Sequence, residues 1–129
     1  MTAATGFILF LVMTLGLLGA VVVTGKKSLR RKHLTFVVLA YLGLGVAIYY
    51  AELLGREYDL DSAGRIYPVH LVFAKITVYA YLLPIITGIM TIKARCTRTT
   101  HGRVAVAVIL LTVVTAVTGF WLVLAATPL

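Results

Sequence analysis

Four long apolar runs organise the chain: Thr5 to Thr24, Leu34 to Leu54, Pro68 to Ile92 and Val104 to Ala126. A helix needs roughly 20 apolar residues to cross a hydrocarbon core of ~30 Å, and each run meets that length. No charge interrupts the first or fourth run, whereas Glu52 sits near the end of the second and Lys75 lies inside the third. The connections are short, so consecutive helices are expected to be antiparallel neighbours. The pattern predicts an all-α integral membrane protein: a four-transmembrane up-and-down helix bundle forming a single domain over residues 1–129.

Composition supports the membrane reading. Of the 129 residues, 61% are hydrophobic and only 12% charged, too few polar side chains to cover a water-exposed surface. A formal charge of +8 would by itself suit nucleic acid, but its distribution points elsewhere. Lys26, Lys27, Arg30, Arg31 and Lys32 crowd the first loop, and Lys93, Arg95, Arg98 and Arg103 the third. The second loop, "GREYDLDSAGRIYP", holds Glu57, Asp59 and Asp61. Positive residues stay cytoplasmic. Loops one and three are therefore expected on the cytoplasmic side of a cytoplasmic (inner) membrane, with both termini and loop two outside. The lipid bilayer is then a partner and nucleic acid is not.

The first run lacks a basic segment before it and carries its basic cluster after it, so it reads as a retained helix rather than a signal peptide. Cys96 is the only cysteine. That excludes an intrachain disulfide and C-x-x-C-H haem attachment, and leaves Cys96 as an idle loop residue. No nucleotide loop, nucleophile triad, zinc motif or carboxylate pair is present, which removes support for hydrolytic or phosphoryl-transfer chemistry. Long repeats and low-complexity segments are absent. The only internal echo is a histidine after each basic loop.

At ~100° per residue, His33 shares a face with Ala40, Ala47 and Ala51, and His101 with Ala105, Thr112, Thr115 and Gly119. His70 lies in line with Ala74, Thr77, Tyr81, Pro84 and Gly88. Small faces mark helix contacts or room for a flat ligand, so all three histidines are expected to point inward. Plain helix packing accounts for the same faces. His33 and His101 both open helices at the cytoplasmic side, and in a simple bundle they become diagonal partners. That arrangement suits axial ligation of a haem b by two neutral imidazoles, with Arg31, Lys32 or Arg103 pairing with the propionates.

His70 belongs to the outer side, after Tyr67 and Pro68. It forms a possible second site with Lys75, Glu52 and Tyr67, for a quinone headgroup, a metal or a partner subunit, against a structural interfacial role. An ion pair between Glu52 and Lys75, or snorkelling of Lys75 toward the interface, accounts for that lysine without chemistry.

The order "KKSLRRKHLTF", acidic or polar outer loop, "YPVHLVFAK", "LLPIITGIMTIKAR", "HGRVAVAV" and "VTGFWLVL" resembles the CtaM-like (YozB-like) family of four-helix membrane proteins, over about residues 20 to 125. The resemblance implies a link to haem-copper oxidase assembly or respiratory electron transfer, with His33, His70 and His101 matching family histidines. The family pattern carries a further histidine near the outer end of the second helix, where this chain has Tyr49, Tyr50, Ala51 and Glu52. The leading expectation is a haem b-binding electron-transfer or assembly component of a respiratory complex rather than a stand-alone enzyme. A cofactor-free accessory subunit of a larger membrane complex and a quinone-binding redox subunit are the alternatives.

Overall fold

The computed structural model describes every residue, Met1–Leu129, and is helical almost throughout. In chain order it comprises α1 (Ala3–Lys26), α2 (Arg30–Gly55), a two-residue strand Tyr58–Asp59, a 3-10 turn Leu60–Ala63, α3 (Ile66–Ala80), α4 (Leu82–Ile92), α5 (Arg98–Ala125) and a last strand Thr127–Pro128. With α3 and α4 taken as one segment, Ile66–Ile92, four helices are long and apolar enough to cross a membrane. Contacts divide the chain into two compact units, Met1–Tyr58 with Leu129, and Asp59–Pro128.

The first unit is the α1–α2 hairpin. Three close approaches set its antiparallel register: Gly6 under the ring of Tyr50, Gly43 against Thr14, and Gly25 against His33. Ala40 and Ala47 are buried along the same face of α2, so the small face read from the sequence is the one that meets α1. At its centre Thr14 is fully enclosed, and its Oγ1 has no hydrogen-bond partner. A Cβ on Gly43 would stand 2.8 Å from that oxygen. The missing side chain lets the Gly43 backbone approach the hydroxyl, a site suited to a weak Cα–H···O contact.

In the second unit, polar rungs join the α3–α4 segment to α5. Thr77 Oγ1 meets Thr115 Oγ1 at 2.6 Å, and Tyr81 Oη meets Thr112 Oγ1 at 2.8 Å. At one end of this unit the main chain of Thr127 donates to Ser62 Oγ at 2.8 Å.

The helix expected over 68–92 is interrupted at Tyr81. Pro84 has no N–H to offer the carbonyl of Ala80, and its ring crowds that carbonyl. The interruption leaves Tyr81 buried at 6% exposure, with its hydroxyl on α5.

The helices after the basic loops begin earlier than the apolar runs, at Arg30 and Arg98 rather than near Leu34 and Val104. Hydropathy marks where a chain is oily, whereas helix start depends on capping. Thr97 caps α5 by accepting from the Thr100 N–H at 3.1 Å. In consequence His33 and His101 occupy the same place, the fourth helical residue, and their N–H groups donate to Leu29 O at 2.8 Å and Thr97 O at 3.1 Å.

The preceding helices also end alike. Ser28 (φ 59°) and Ala94 (φ 55°) are left-handed. The bonds Leu29 N–H to Thr24 O at 3.0 Å and Arg95 N–H to Met90 O at 2.8 Å close matching Schellman turns.

Gly43→Ala is expected to destabilise the hairpin by about 1–3 kcal/mol through overpacking against Thr14. Combining it with Thr14→Ala should restore most of the loss, because the hydroxyl that clashes makes no hydrogen bond. Reversible unfolding in mixed micelles measures both, and equal losses in the single and double variants would contradict the close approach.

Candidate functional site

Each histidine is seated on a Thr-Gly step of the antiparallel helix beside it. In the first unit, His33 Nδ1 lies 2.9 Å from the Val21 carbonyl and 3.5 Å from Thr24 Oγ1. Its Cε1 stands 3.2 Å from where a Cβ on Gly25 would be. In the second unit, His101 Nδ1 lies 2.9 Å from Thr87 Oγ1, with Cε1 3.3 Å from the Cβ position of Gly88. His70 Nδ1 lies 3.1 Å from Thr118 Oγ1, and its Cε1 would come within 2.8 Å of a Cβ on Gly119. All three rings are half-buried and turned toward a neighbouring helix of their own unit, as their small-residue faces predict.

For His33 the hydrogen-bond partner assigns the tautomer. A carbonyl only accepts, so His33 Nδ1 carries the proton that it donates to Val21 O. Thr87 Oγ1 donates its own proton to Leu83 O at 2.9 Å, and Thr118 Oγ1 donates to Thr115 O at 3.0 Å. Where those protons stay on their own helix carbonyls, the hydroxyl oxygens accept from Nδ1 of His101 and His70. In the neutral His33 ring, donation from Nδ1 leaves Nε2 as the nitrogen with the lone pair. Donation from Nδ1 to a backbone or hydroxyl oxygen is also how proteins orient imidazoles that bind a metal through Nε2.

The remaining candidates are more open. Arg31, Lys32 and Arg103 are exposed, as are Glu52 and Lys75, which belong to different units. Tyr67 is half-buried, and Cys96 Sγ lies 3.5 Å from the Thr97 carbonyl. No cluster of three or more His, Cys, Asp or Glu side chains is gathered to hold a bare metal ion. His33 belongs to the first unit and His101 to the second.

The residues that seat the histidines are a legible signal that hydropathy passes over. Thr-Gly occurs at 5–6, 24–25, 87–88 and 118–119, and every one of its glycines receives a ring. The first holds Tyr50, which also stacks on Phe10 with centroids 5.7 Å apart and planes 11° off parallel.

No family model, no curated protein and no solved structure matches the chain.

Nitrogen-15 NMR of histidine-labelled protein should find all three imidazoles protonated at Nδ1. Thr87→Val should release His101 from that state and leave His33 and His70 unchanged, at a cost of about 1–3 kcal/mol for the donor left without its acceptor. An Nε2-protonated His33 would contradict the assignment.

Proposed function

We propose that the chain is a multi-pass protein of the cytoplasmic membrane in which His33 and His101 would be the residues that hold a haem b, and that it serves as an electron-transfer or assembly component of a respiratory complex. The observation that carries this reading is the matched setting of the two histidines. Both are the fourth residue of a helix that follows a basic Schellman turn, and both place Nδ1 2.9 Å from an oxygen of a neighbouring helix. The donor chemistry fits haem, whose iron takes neutral imidazole nitrogen. Val21 O and Thr87 Oγ1 would hold the two rings in orientation and raise their basicity.

Arg31, Lys32 and Arg103 flank the histidines in sequence and would offset the negative charge of the propionates. Bound haem supplies one-electron exchange at its iron. The outer surfaces of the helices suit lipid: Val12, Leu42, Leu110 and Val117 are 60–63% exposed, while threonines are buried between helices. By the positive-inside rule the basic loops would be cytoplasmic, and the resemblance to the CtaM-like family points to the same respiratory setting.

One observation favours a second reading, a cofactor-free accessory subunit. His70 has the same Thr-Gly seat as the other two, so the seat also works as a lock between helices. A quinone site at His70 with Lys75, Glu52 and Tyr67 rests on those residue types alone.

A reduced-minus-oxidised visible spectrum of detergent-purified protein tests the proposal. Low-spin haem bands are expected, lost in both His33→Ala and His101→Ala and kept in His70→Ala. Thr87→Val should keep the bands, weaken haem affinity by about 10-fold and raise the midpoint potential, because His101 becomes a poorer donor to ferric iron. A flat spectrum from haem-replete cells would leave the accessory-subunit reading in its place.

A further inference from the structure

At the end of the α1–α2 hairpin that carries the first basic loop, an open groove of about 560 Å³ runs between the two helices. Its lining divides by chemistry. Lys27, Arg31 and Lys32 supply three cations, all exposed, while Ala20, Val23 and Phe36 supply an apolar wall. Nothing acidic in this hairpin offsets the cations. Its carboxylates, Glu52 and Glu57, stand toward and beyond the other end of α2, and the helix between Lys32 and Glu52 is roughly 30 Å long.

The start of α2 adds to the field. Its first turn contains no acidic residue and its N-cap, Leu29, offers no side-chain acceptor, so the positive end of the helix dipole is left to act with the three cations.

A soluble anion would use the cations and gain nothing from the wall. A neutral lipid would use the wall and leave the cations uncompensated. We propose that this groove binds an anionic phospholipid, with its phosphate among Lys27, Arg31 and Lys32 and an acyl chain along Ala20, Val23 and Phe36. The proposal rests on the membrane reading of the four helices and does not require haem, although Arg31 and Lys32 are also cations that would pair with its propionates. Thr24 lines the groove and also contacts His33, so the lipid would sit one hydroxyl away from that imidazole.

Native mass spectrometry of the full chain in a neutral detergent, titrated with short-chain phosphatidylglycerol, phosphatidylcholine or inorganic phosphate, tests it. Phosphatidylglycerol is expected to be retained at least about tenfold better than phosphatidylcholine, as juxtamembrane cations favour anionic lipid. That preference should vanish in Lys27→Gln/Arg31→Gln/Lys32→Gln, fall in Arg31→Gln alone, and persist in Lys93→Gln/Arg95→Gln, which alters the other basic loop. Phe36→Ala should weaken retention of phosphatidylglycerol.

Equal retention of the two lipids, a preference that survives the triple variant, or displacement of phosphatidylglycerol by an equal concentration of inorganic phosphate would overturn the proposal. The membrane reading is checked separately: release of the chain from isolated membranes by alkaline carbonate would overturn that reading, whatever the lipid titration shows.

Discussion

The packing of the second unit turns on what a threonine does with its single hydroxyl proton in apolar surroundings. Thr87, Thr112 and Thr118 each donate to a carbonyl of their own helix, namely Leu83, Val108 and Thr115. With the proton held there, the oxygen is free to accept. The partners that meet these hydroxyls across the helix pair are His101, Tyr81 and His70 respectively, each able to carry a proton. Thr77 and Thr115 are the exception that obeys the same arithmetic. Each is within reach of its own carbonyl, yet they also meet each other at 2.6 Å, so one of the two protons must be directed across the helix pair. Polar contacts of this kind select a partner and a register where van der Waals packing alone is permissive.

Glycine supplies the other half of the contact. A histidine ring is flat and wide, and each of the three lies against a glycine that follows a threonine, where no Cβ stands in its way. The Thr-Gly step therefore combines an acceptor with the space beside it. Thr14 and Gly43 reverse the distribution: the threonine is on α1, the glycine on α2, and no ring enters. With no donor arriving, Thr14 Oγ1 is left without a partner. Two glycine uses thus coexist in one hairpin, one making room for a side chain and the other for a backbone.

Hydropathy made the four helices and their inward faces legible, because both follow from residue size and polarity at helical spacing. Ala40, Ala47, Thr77, Tyr81 and Thr112 are buried where the faces through the histidines put them. The helix starts were less accessible. Arg30 and Arg98 are polar enough to end an apolar run, but capping and Schellman geometry let helix continue through them. The interruption at Tyr81 was signalled by Pro84, although its position depends on the carbonyl that loses its donor rather than on the proline itself. The Thr-Gly steps were visible only as dipeptides. Their meaning needs the facing helix, since nothing local to Thr118-Gly119 indicates that His70 will arrive there.

The common seat also limits what any one histidine can be made to imply. His33, His70 and His101 share an acceptor for Nδ1 and a glycine beneath the ring, so these features describe a way of joining helices. What separates two of them from the third is electrostatic setting. His33 and His101 follow left-handed turns flanked by Lys27, Arg31 and Lys32 or by Lys93, Arg95 and Arg98. His70 follows Tyr67 and Pro68, at the end of the sequence segment that holds most of the acids. An anionic ligand therefore discriminates among the three through the field around them and not through the imidazoles. The two basic ends can differ from each other in turn: at the first, Lys27, Arg31 and Lys32 face an open groove with an apolar wall, so an anion there is met by cations and an oily surface together.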